Sequence, residues 1–401
     1  MIVGIIGKPN TGKSTFFNAA TLSGVPMADY PFTTIKPNRG IGYLRVPCVC
    51  RILGVTDNPV NSLCVDGNRF IPVNLVDIAG LVPGASTGRG LGNKFLDDVR
   101  QADALVHVVD ASGSTDEEGR VCSHGSHDPL IDVEFIVQEF DLWLKQILTK
   151  DWQRISRTVE AGAGKLGILL AERLSGLAIS EEIITDCIDA LGLKADRPAV
   201  WQDSDILALC GVIRSRSKPT LVAANKADLP LARENIQRMR EKGELVIPCT
   251  AEAELLLRRA AEKKIINYLP GDVTFGNVDQ GTLSNEQKAA LEMVTEKVFE
   301  IWGSTGVQEA INSAFQKLLG AIVVYPVEDE TKMADKNGNV LPDAYVIKSG
   351  STARDLANAI HSDLGDSFLY AIDVRKGTRL GADHLLKDND VVKILAAGRR
   401  G

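Results

Sequence analysis

The chain has 401 residues, 44% of them hydrophobic and 24% charged, with seven cysteines and a formal net charge of −7. This composition excludes a disordered, collagen-like or disulfide-framework chain, and the net acidity excludes nucleic-acid binding through overall charge. No run approaches the ~18 apolar residues of a membrane span, and Met1 to Ile6 is too short and too poor in basic flanks for a signal segment, so a cytoplasmic protein with reduced thiols, no membrane partner and no DNA partner is expected.

Ile2–Ile6 reads as a short buried strand, followed by a glycine-containing loop and a helix from Ser14 to Thr21. Further strands are predicted at Gly40–Arg45, Ile71–Val76 and Ala104–Asp110, each followed by a loop. Alternating strands and helices of this kind form an α/β unit with a mostly parallel sheet, which binds ligands at the carboxyl ends of its strands. The pattern then changes. Leu142, Leu144, Ile147, Leu148, Trp152 and Ile155 recur at helical spacing, as do Leu166, Ile168, Leu169, Leu170 and Leu174, which predicts a helical insertion of antiparallel hairpins over 114–218. Strands resume at Thr220–Ala224 and Leu245–Pro248, and helical periodicity returns from Ser284 to Leu319. From Ala321 a small unit begins: Ala344–Lys348 alternates like a strand, Thr352 and Asp355 form a capping box ahead of a helix over Leu356–Ile360, and Val391–Leu395 is the last strand. The expected division is an α/β domain in two parts, 1–113 and 219–320, a helical insertion over 114–218, and a separately folding C-terminal unit over 321–401.

Gly7-Lys8-Pro9-Asn10-Thr11-Gly12-Lys13-Ser14 matches G-x-x-x-x-G-K-[ST], after a strand and before a helix. Its glycines let backbone N–H groups curl toward phosphate oxygens. Lys13 reaches the terminal phosphates and Ser14 offers a hydroxyl to Mg²⁺. The phosphate-binding set runs Lys8, Pro9, Asn10, Thr11, Gly12, Lys13, Ser14 and Thr15. Asp77-Ile78-Ala79-Gly80 follows a second buried strand; Asp77 can hold Mg²⁺ through water, and the Gly80 N–H can sense a γ-phosphate. Asn225-Lys226-Ala227-Asp228 ends a third strand. A carboxylate at Asp228 can accept from the guanine N1–H and 2-amino group, which adenine cannot match. Cys249-Thr250-Ala251 follows the next strand and can present a backbone N–H to the guanine O6.

These motifs, in this order, resemble a translation-factor-class P-loop GTPase. Pro31-Phe32-Thr33-Thr34-Ile35-Lys36-Pro37-Asn38 is similar to switch I of the Obg group, and the glycine-rich run Gly80 to Leu96 is similar to switch II of its YchF-type, Obg-like members. Leu341 to Val346, Ala359-Ile360-His361 and Asp390-Val391-Val392 resemble a TGS domain, a small β-grasp-like module. The resemblance implies a regulatory GTPase cycling between GTP and GDP, with Thr34 closing on Mg²⁺ and γ-phosphate. The implied catalytic set is Lys13, Thr34 and Gly80, and the implied metal set is Ser14, Thr34 and Asp77. Ribosome or RNA is implied as the partner of the TGS domain. Some YchF-type proteins lack N-K-x-D and prefer ATP; this chain keeps Asn225, Lys226 and Asp228, so GTP is expected.

Leu81 stands where many small GTPases carry a glutamine that orients the attacking water. Three substitutes are open. Asn10 resembles the asparagine that ligates K⁺ in potassium-activated GTPases, or else braces its loop. The loop Cys122-Ser123-His124-Gly125-Ser126-His127 can bring a histidine to the water, can expose both histidines to solvent, or can offer three metal ligands. A macromolecular partner can order the switches. If none acts, the protein is a nucleotide-gated binding module with little hydrolysis. Cys48-Val49-Cys50 reads as two strand or loop thiols, His361 as a packing or capping residue, and the four tryptophans as helix-packing residues. Arg375, Lys376, Arg379, Lys393, Arg399 and Arg400 form either an RNA-facing patch or a solvated surface.

Overall fold

A computed structural model describes residues 1–22, 39–78, 98–177, 179–277 and 283–397. Among them a sheet of seven strands forms the centre of the α/β domain: β1 Ile2–Ile6, β2 Arg39–Pro47, β3 Leu63–Val65, β4 Asn68–Asp77, β5 Ala104–Asp110, β6 Thr220–Asn225 and β7 Val246–Pro248. The order is β2-β4-β1-β5-β6-β7, with β3 also paired to β4. The β4-β1-β5-β6-β7 run is parallel, and β2 is an antiparallel edge strand on β4. That edge follows from the connection, since the segment 48–67 leads from β2 back into β4 without a crossover helix.

Both faces of the sheet are covered, which is why β1 and β5 read as continuous apolar runs. Residue parity along each strand decides the face. Val3, Ile5, Val106 and Val108 pack with Phe16 of the helix Lys13–Thr21, Leu255 of Ala251–Glu262, and Ile311 and Phe315 of the 307–318 region. Ile6, Val76 and Leu105 point the other way, into Ile136, Phe140 and Leu144 of the long helix Pro129–Thr149, Leu170 of Leu166–Arg173 and Ile213 of Asp203–Ser217. The helices over 129–217 therefore form one cover of the sheet. Their ends are locally specified: Asp128 accepts from the Leu130 N–H ahead of Pro129, and Gln202 and Asp205 make a capping box. Leu142, one of the periodic residues, is exposed. Trp152 and Trp201 pack with ring centroids 5.7 Å apart, and Trp143 meets Phe140 edge-on at 5.5 Å. No described helix is long and apolar enough to cross a membrane.

After the short pair β8 Ile266–Asn267 and β9 Gly276–Asn277, the C-terminal unit forms a second sheet: β10 Ala321–Val327, β11 Tyr345–Lys348, β12 Phe368–Asp373, β13 Thr378–Leu380 and β14 Val391–Ala396, ordered β11-β10-β14-β12-β13. The central pair β10 and β14 is parallel and the others antiparallel. Thr352 and Asp355 cap the helix Ala353–Ile360 reciprocally, and His361 caps the next short helix by accepting from the Asp363 N–H. One face of this sheet has its own core, with Val324, Leu356, Phe368 and Val392. The other face does not stand alone: Val323, Tyr325, Val327 and Val391 share a core with Val46 and Val49 of the α/β domain. Alternate residues of β10 are thus divided between the two cores, so the unit expected to fold separately also packs one face on the α/β domain.

Candidate nucleotide site

The site gathers at the carboxyl ends of β1, β4, β6 and β7. The phosphate loop leaves β1 at Gly7, where a Cβ would stand 2.5 Å from the Val108 carbonyl oxygen, so only glycine passes beside β5. At Gly12 the backbone takes φ 89° and a Cβ would meet Asn225 Nδ2 at 2.2 Å. The helix Lys13–Thr21 then starts with its unpaired N–H groups facing the loop, the arrangement that binds phosphate. Asp77 ends β4, beside Ile5 of β1, and Lys13 Nζ donates to its Oδ1. Ser14 is exposed, and its hydroxyl has no hydrogen bond to a described residue. Thr34, Gly80 and Leu81, with both switch segments, lie outside the described residues.

Asn225 links three motifs. Its Nδ2 donates to the Thr11 carbonyl at 2.9 Å, and its Oδ1 accepts from the Ala251 N–H at 3.0 Å. The Thr250 N–H donates to the Thr305 carbonyl at 2.8 Å. The expectation that Thr250 or Ala251 offers a free N–H to a base is therefore corrected: both are committed to holding the turn. Lys226, at φ 59°, extends to Asp110 Oδ2 at 2.7 Å. Asp110 is buried and also accepts from the Ser112 N–H and from the hydroxyls of Ser112, Ser114 and Thr115. Burial alone would raise its carboxyl, but the hydrogen bonds from Lys226, Ser112 and Ser114 outweigh it and hold the group below the usual carboxylate range. Trp302 Nε1 donates to the Ala227 carbonyl at 3.1 Å, so this tryptophan braces the base loop rather than only packing a helix. Within that frame Asp228 is half-buried, and no described residue donates to its carboxylate.

Two phosphate-loop side chains point elsewhere. Lys8 is 1% exposed and pairs with Asp132 Oδ1 at 2.6 Å while donating to the Asp116 carbonyl at 2.6 Å. Only its backbone is left for phosphate. His127 Nε2 also meets Asp132 Oδ1, at 2.7 Å; it is buried structure, which removes it as a group acting on water, while His124 is exposed. Burial raises the Asp132 carboxyl, opposed by Lys8 and His127. Cys122, His124 and His127 do not form a ligand cluster among the described residues. Asn10, at φ 63°, donates from Nδ2 to the Gly119 carbonyl at 2.9 Å, which turns its Oδ1 away from that bond. The signal for Asp110 was visible in Asp110-Ala111-Ser112-Gly113-Ser114, an acid at a strand end followed by hydroxyls. Asp132, Trp302 and Thr305 carried none.

Three of the cations predicted to form a basic face in the C-terminal unit are paired with acids. Arg375 pairs with Asp390 at 3.2 Å, Lys376 with Asp373 at 2.8 Å and Lys393 with Glu330 at 3.1 Å. Arg379 stacks on Tyr370, 3.6 Å from the ring centroid. Arg399 and Arg400 lie outside the described residues.

Comparison with known proteins agrees with this layout. Residues 2–137 match the 50S ribosome-binding GTPase family, residues 223–329 the G4 motif-containing domain of YGR210-like Obg-like GTPases, and residues 337–396 the TGS domain. A GTP-binding protein of Methanocaldococcus jannaschii is 48% identical over 400 residues, covering 99% of this chain and 100% of that one. The ribosome-binding ATPase YchF of Bacillus subtilis is 29% identical over 410 residues, covering 100% of this chain and 95% of that one. The crystal structure of a GTP-binding protein from Pyrococcus horikoshii superposes with a TM-score of 0.77 at 40% identity, covering 99% of this chain and 100% of that one. Identity at that level along the whole chain, with the motifs in their expected places, shows that this protein belongs to the YchF/Obg-like family of P-loop GTPases and ends in a TGS domain.

Proposed function

We propose that the protein binds GTP and hydrolyses it to GDP and phosphate as a regulatory switch. One observation carries the choice of base. Asn225 and Lys226 are spent on the scaffold, whereas Asp228 is left with both oxygens for a ligand. A half-buried carboxylate of this kind matches the two adjacent donors of guanine and meets no such pair on adenine. Calorimetry should give at least about tenfold tighter binding of GTP than ATP, about 1.4 kcal/mol. Equal affinities would remove the guanine reading of Asp228 and leave room for ATP, the nucleotide in the names of the relatives called ATPases.

The residues present suit Mg²⁺. An exposed hydroxyl at Ser14 and a carboxylate at Asp77, one lysine side chain away, are hard oxygen donors. Bound there, the ion would neutralise charge on the β- and γ-phosphate oxygens. In hydrolysis water attacks the γ-phosphorus, the bond to the β–γ bridging oxygen breaks, and GDP departs with that electron pair. Lys13 meets the charge that develops on this side. Asn10 Oδ1, fixed by the Nδ2 bond to Gly119, is the group that would hold K⁺. Ribosome is the partner named for the bacterial YchF relatives, which supports reading this protein as a ribosome-linked, cytoplasmic one. The pairing of Arg375, Lys376 and Lys393 with acids argues against a purely electrostatic RNA grip by that face. One multiple-turnover phosphate-release assay tests these readings together. Replacing K⁺ by Na⁺ should slow turnover, and added ribosomes should raise it; an ion-independent rate removes K⁺ from the account, and negligible turnover with and without ribosomes leaves the nucleotide-gated binding module as the better description.

A further inference from the structure

The nucleotide site makes no use of one side-chain cluster. Cys48 and Cys50 stand at the end of β2 and in the short helix Val49–Leu53, Asp57 in the following loop and Cys64 in β3. The sequence shows only the Cys48-Val49-Cys50 pair; folding of the 48–67 segment brings the other two groups to it. The four ligand-type atoms all lie within 4.8 Å of one another. Cys50 Sγ and Cys64 Sγ are 3.9 Å apart, and Cys48 Sγ is 3.2 Å from Asp57 Oδ2. A tetrahedral ion with metal–sulfur bonds of ~2.3 Å and a metal–oxygen bond of ~2.0 Å sets sulfur–sulfur edges of ~3.8 Å and sulfur–oxygen edges of ~3.5 Å. The Cys50–Cys64 and Cys48–Asp57 distances are close to these two edges.

We propose that Cys48, Cys50, Asp57 and Cys64 bind a structural Zn²⁺ ion that fixes the 48–67 segment against the C-terminal unit. Thiolates select zinc over the hard cations Mg²⁺ and Ca²⁺. Four protein ligands leave no open position, which makes the site structural rather than catalytic. A disulfide does not account for the cluster, because one bond would consume two of the three thiols and leave the third, and all seven cysteines are free.

Charge and position support the ion. Three thiolates and a carboxylate around a divalent cation leave a net charge of −2. Arg69, fully buried, donates to Asp57 Oδ2 at 2.8 Å and brings a compensating positive charge. Its remaining bonds fix its place: Nε donates to Ser62 Oγ at 2.8 Å and Nη2 to the Leu341 carbonyl at 2.6 Å, and its guanidinium lies 5.6 Å from the Tyr325 ring centroid. This is the outer shell that holds a ligating carboxylate in orientation. The same loop carries the docking contacts. The Val60 N–H donates to the Pro342 carbonyl at 2.7 Å, the Asn58 N–H to the Val340 carbonyl at 3.1 Å, and Asn61 Oδ1 accepts from the Ala344 N–H at 3.0 Å. Residues 55–62 have neither helix nor strand, so a clip between Cys48, Cys50 and Cys64 is what would hold this loop in one shape.

The test uses the full-length protein. Metal analysis after purification without chelator should find one zinc per chain. Exchange with Co²⁺ should produce thiolate-to-cobalt charge-transfer absorption and the intense visible bands of a tetrahedral site. Cys64→Ser should weaken zinc binding by more than the ~10–100-fold typical of losing an outer-shell partner, and should speed proteolysis between the two units. Cys210→Ser, at a buried thiol in the helical layer, should leave the cobalt spectrum unchanged. If Cys64→Ser fails to fold, the cobalt spectrum of the unaltered protein still decides. Protein that takes up no Co²⁺ with its thiols reduced, or a Cys50–Cys64 disulfide found by non-reducing mass spectrometry, overturns the proposal.

Discussion

Lys13→Ala is expected to lower GTP turnover at least about 10²–10³-fold, the cost of removing one preorganised donor from a developing anion. The structure sharpens the expectation. Lys13 Nζ donates to Asp77, and the pair is largely shielded, with side-chain exposures of 13% and 20%. The ammonium is thus already held at the end of β4, where the terminal phosphates would lie. Deleting it removes a positive charge from the phosphates and leaves the Asp77 carboxylate facing them unpaired. Both changes oppose the transition state, and the second also opposes binding. Phosphate release under saturating GTP, with nucleotide affinity measured separately, distinguishes the two. A variant that keeps more than a tenth of the normal rate removes Lys13 from the catalytic set.

Asp228→Asn is expected to weaken GTP binding by ~10²-fold or more and to shift preference toward xanthine nucleotides. A site built to accept from a ligand N–H discriminates strongly once its acceptor is changed, because a buried polar group is then left facing a like partner. The new amide would direct a donor at the guanine 2-amino group, whereas the xanthine 2-oxo group can accept from it. Since no described residue hydrogen-bonds the Asp228 carboxylate, the fold should hardly notice, with a stability change within about ±0.5 kcal/mol. Xanthosine and guanosine diphosphate titrations by calorimetry check the exchange. Unchanged GTP affinity would show that the base is read elsewhere, and would leave the Asn225 scaffold without its proposed ligand.

What the sequence by itself determined lies within short stretches of chain. The phosphate loop, the Asp77 strand end, the Asn225 to Asp228 turn and the Thr352–Asp355 capping box were legible because each depends on local backbone conformation. The apolar runs of β1 and β5 read as buried strands of a mostly parallel sheet, the kind that is covered on both faces. Only the tertiary structure decided where the side chains go. Lys8 sits inside a phosphate-binding motif yet turns into a buried pair with Asp132, from the helix Pro129–Thr149 that follows β5 in the chain. Thr250 and Ala251 read as donors to a base and proved to be committed to Thr305 and Asn225. Trp302 read as a packing residue and holds the base loop. Cys48 and Cys50 read as two thiols and acquired Asp57, Cys64 and Arg69 as neighbours. In each case the deciding partner belongs to another element. Sequence spacing carries a helix or strand period, but a side chain's partner is set by which elements pack together and by the cost of leaving a buried charge or N–H unpaired.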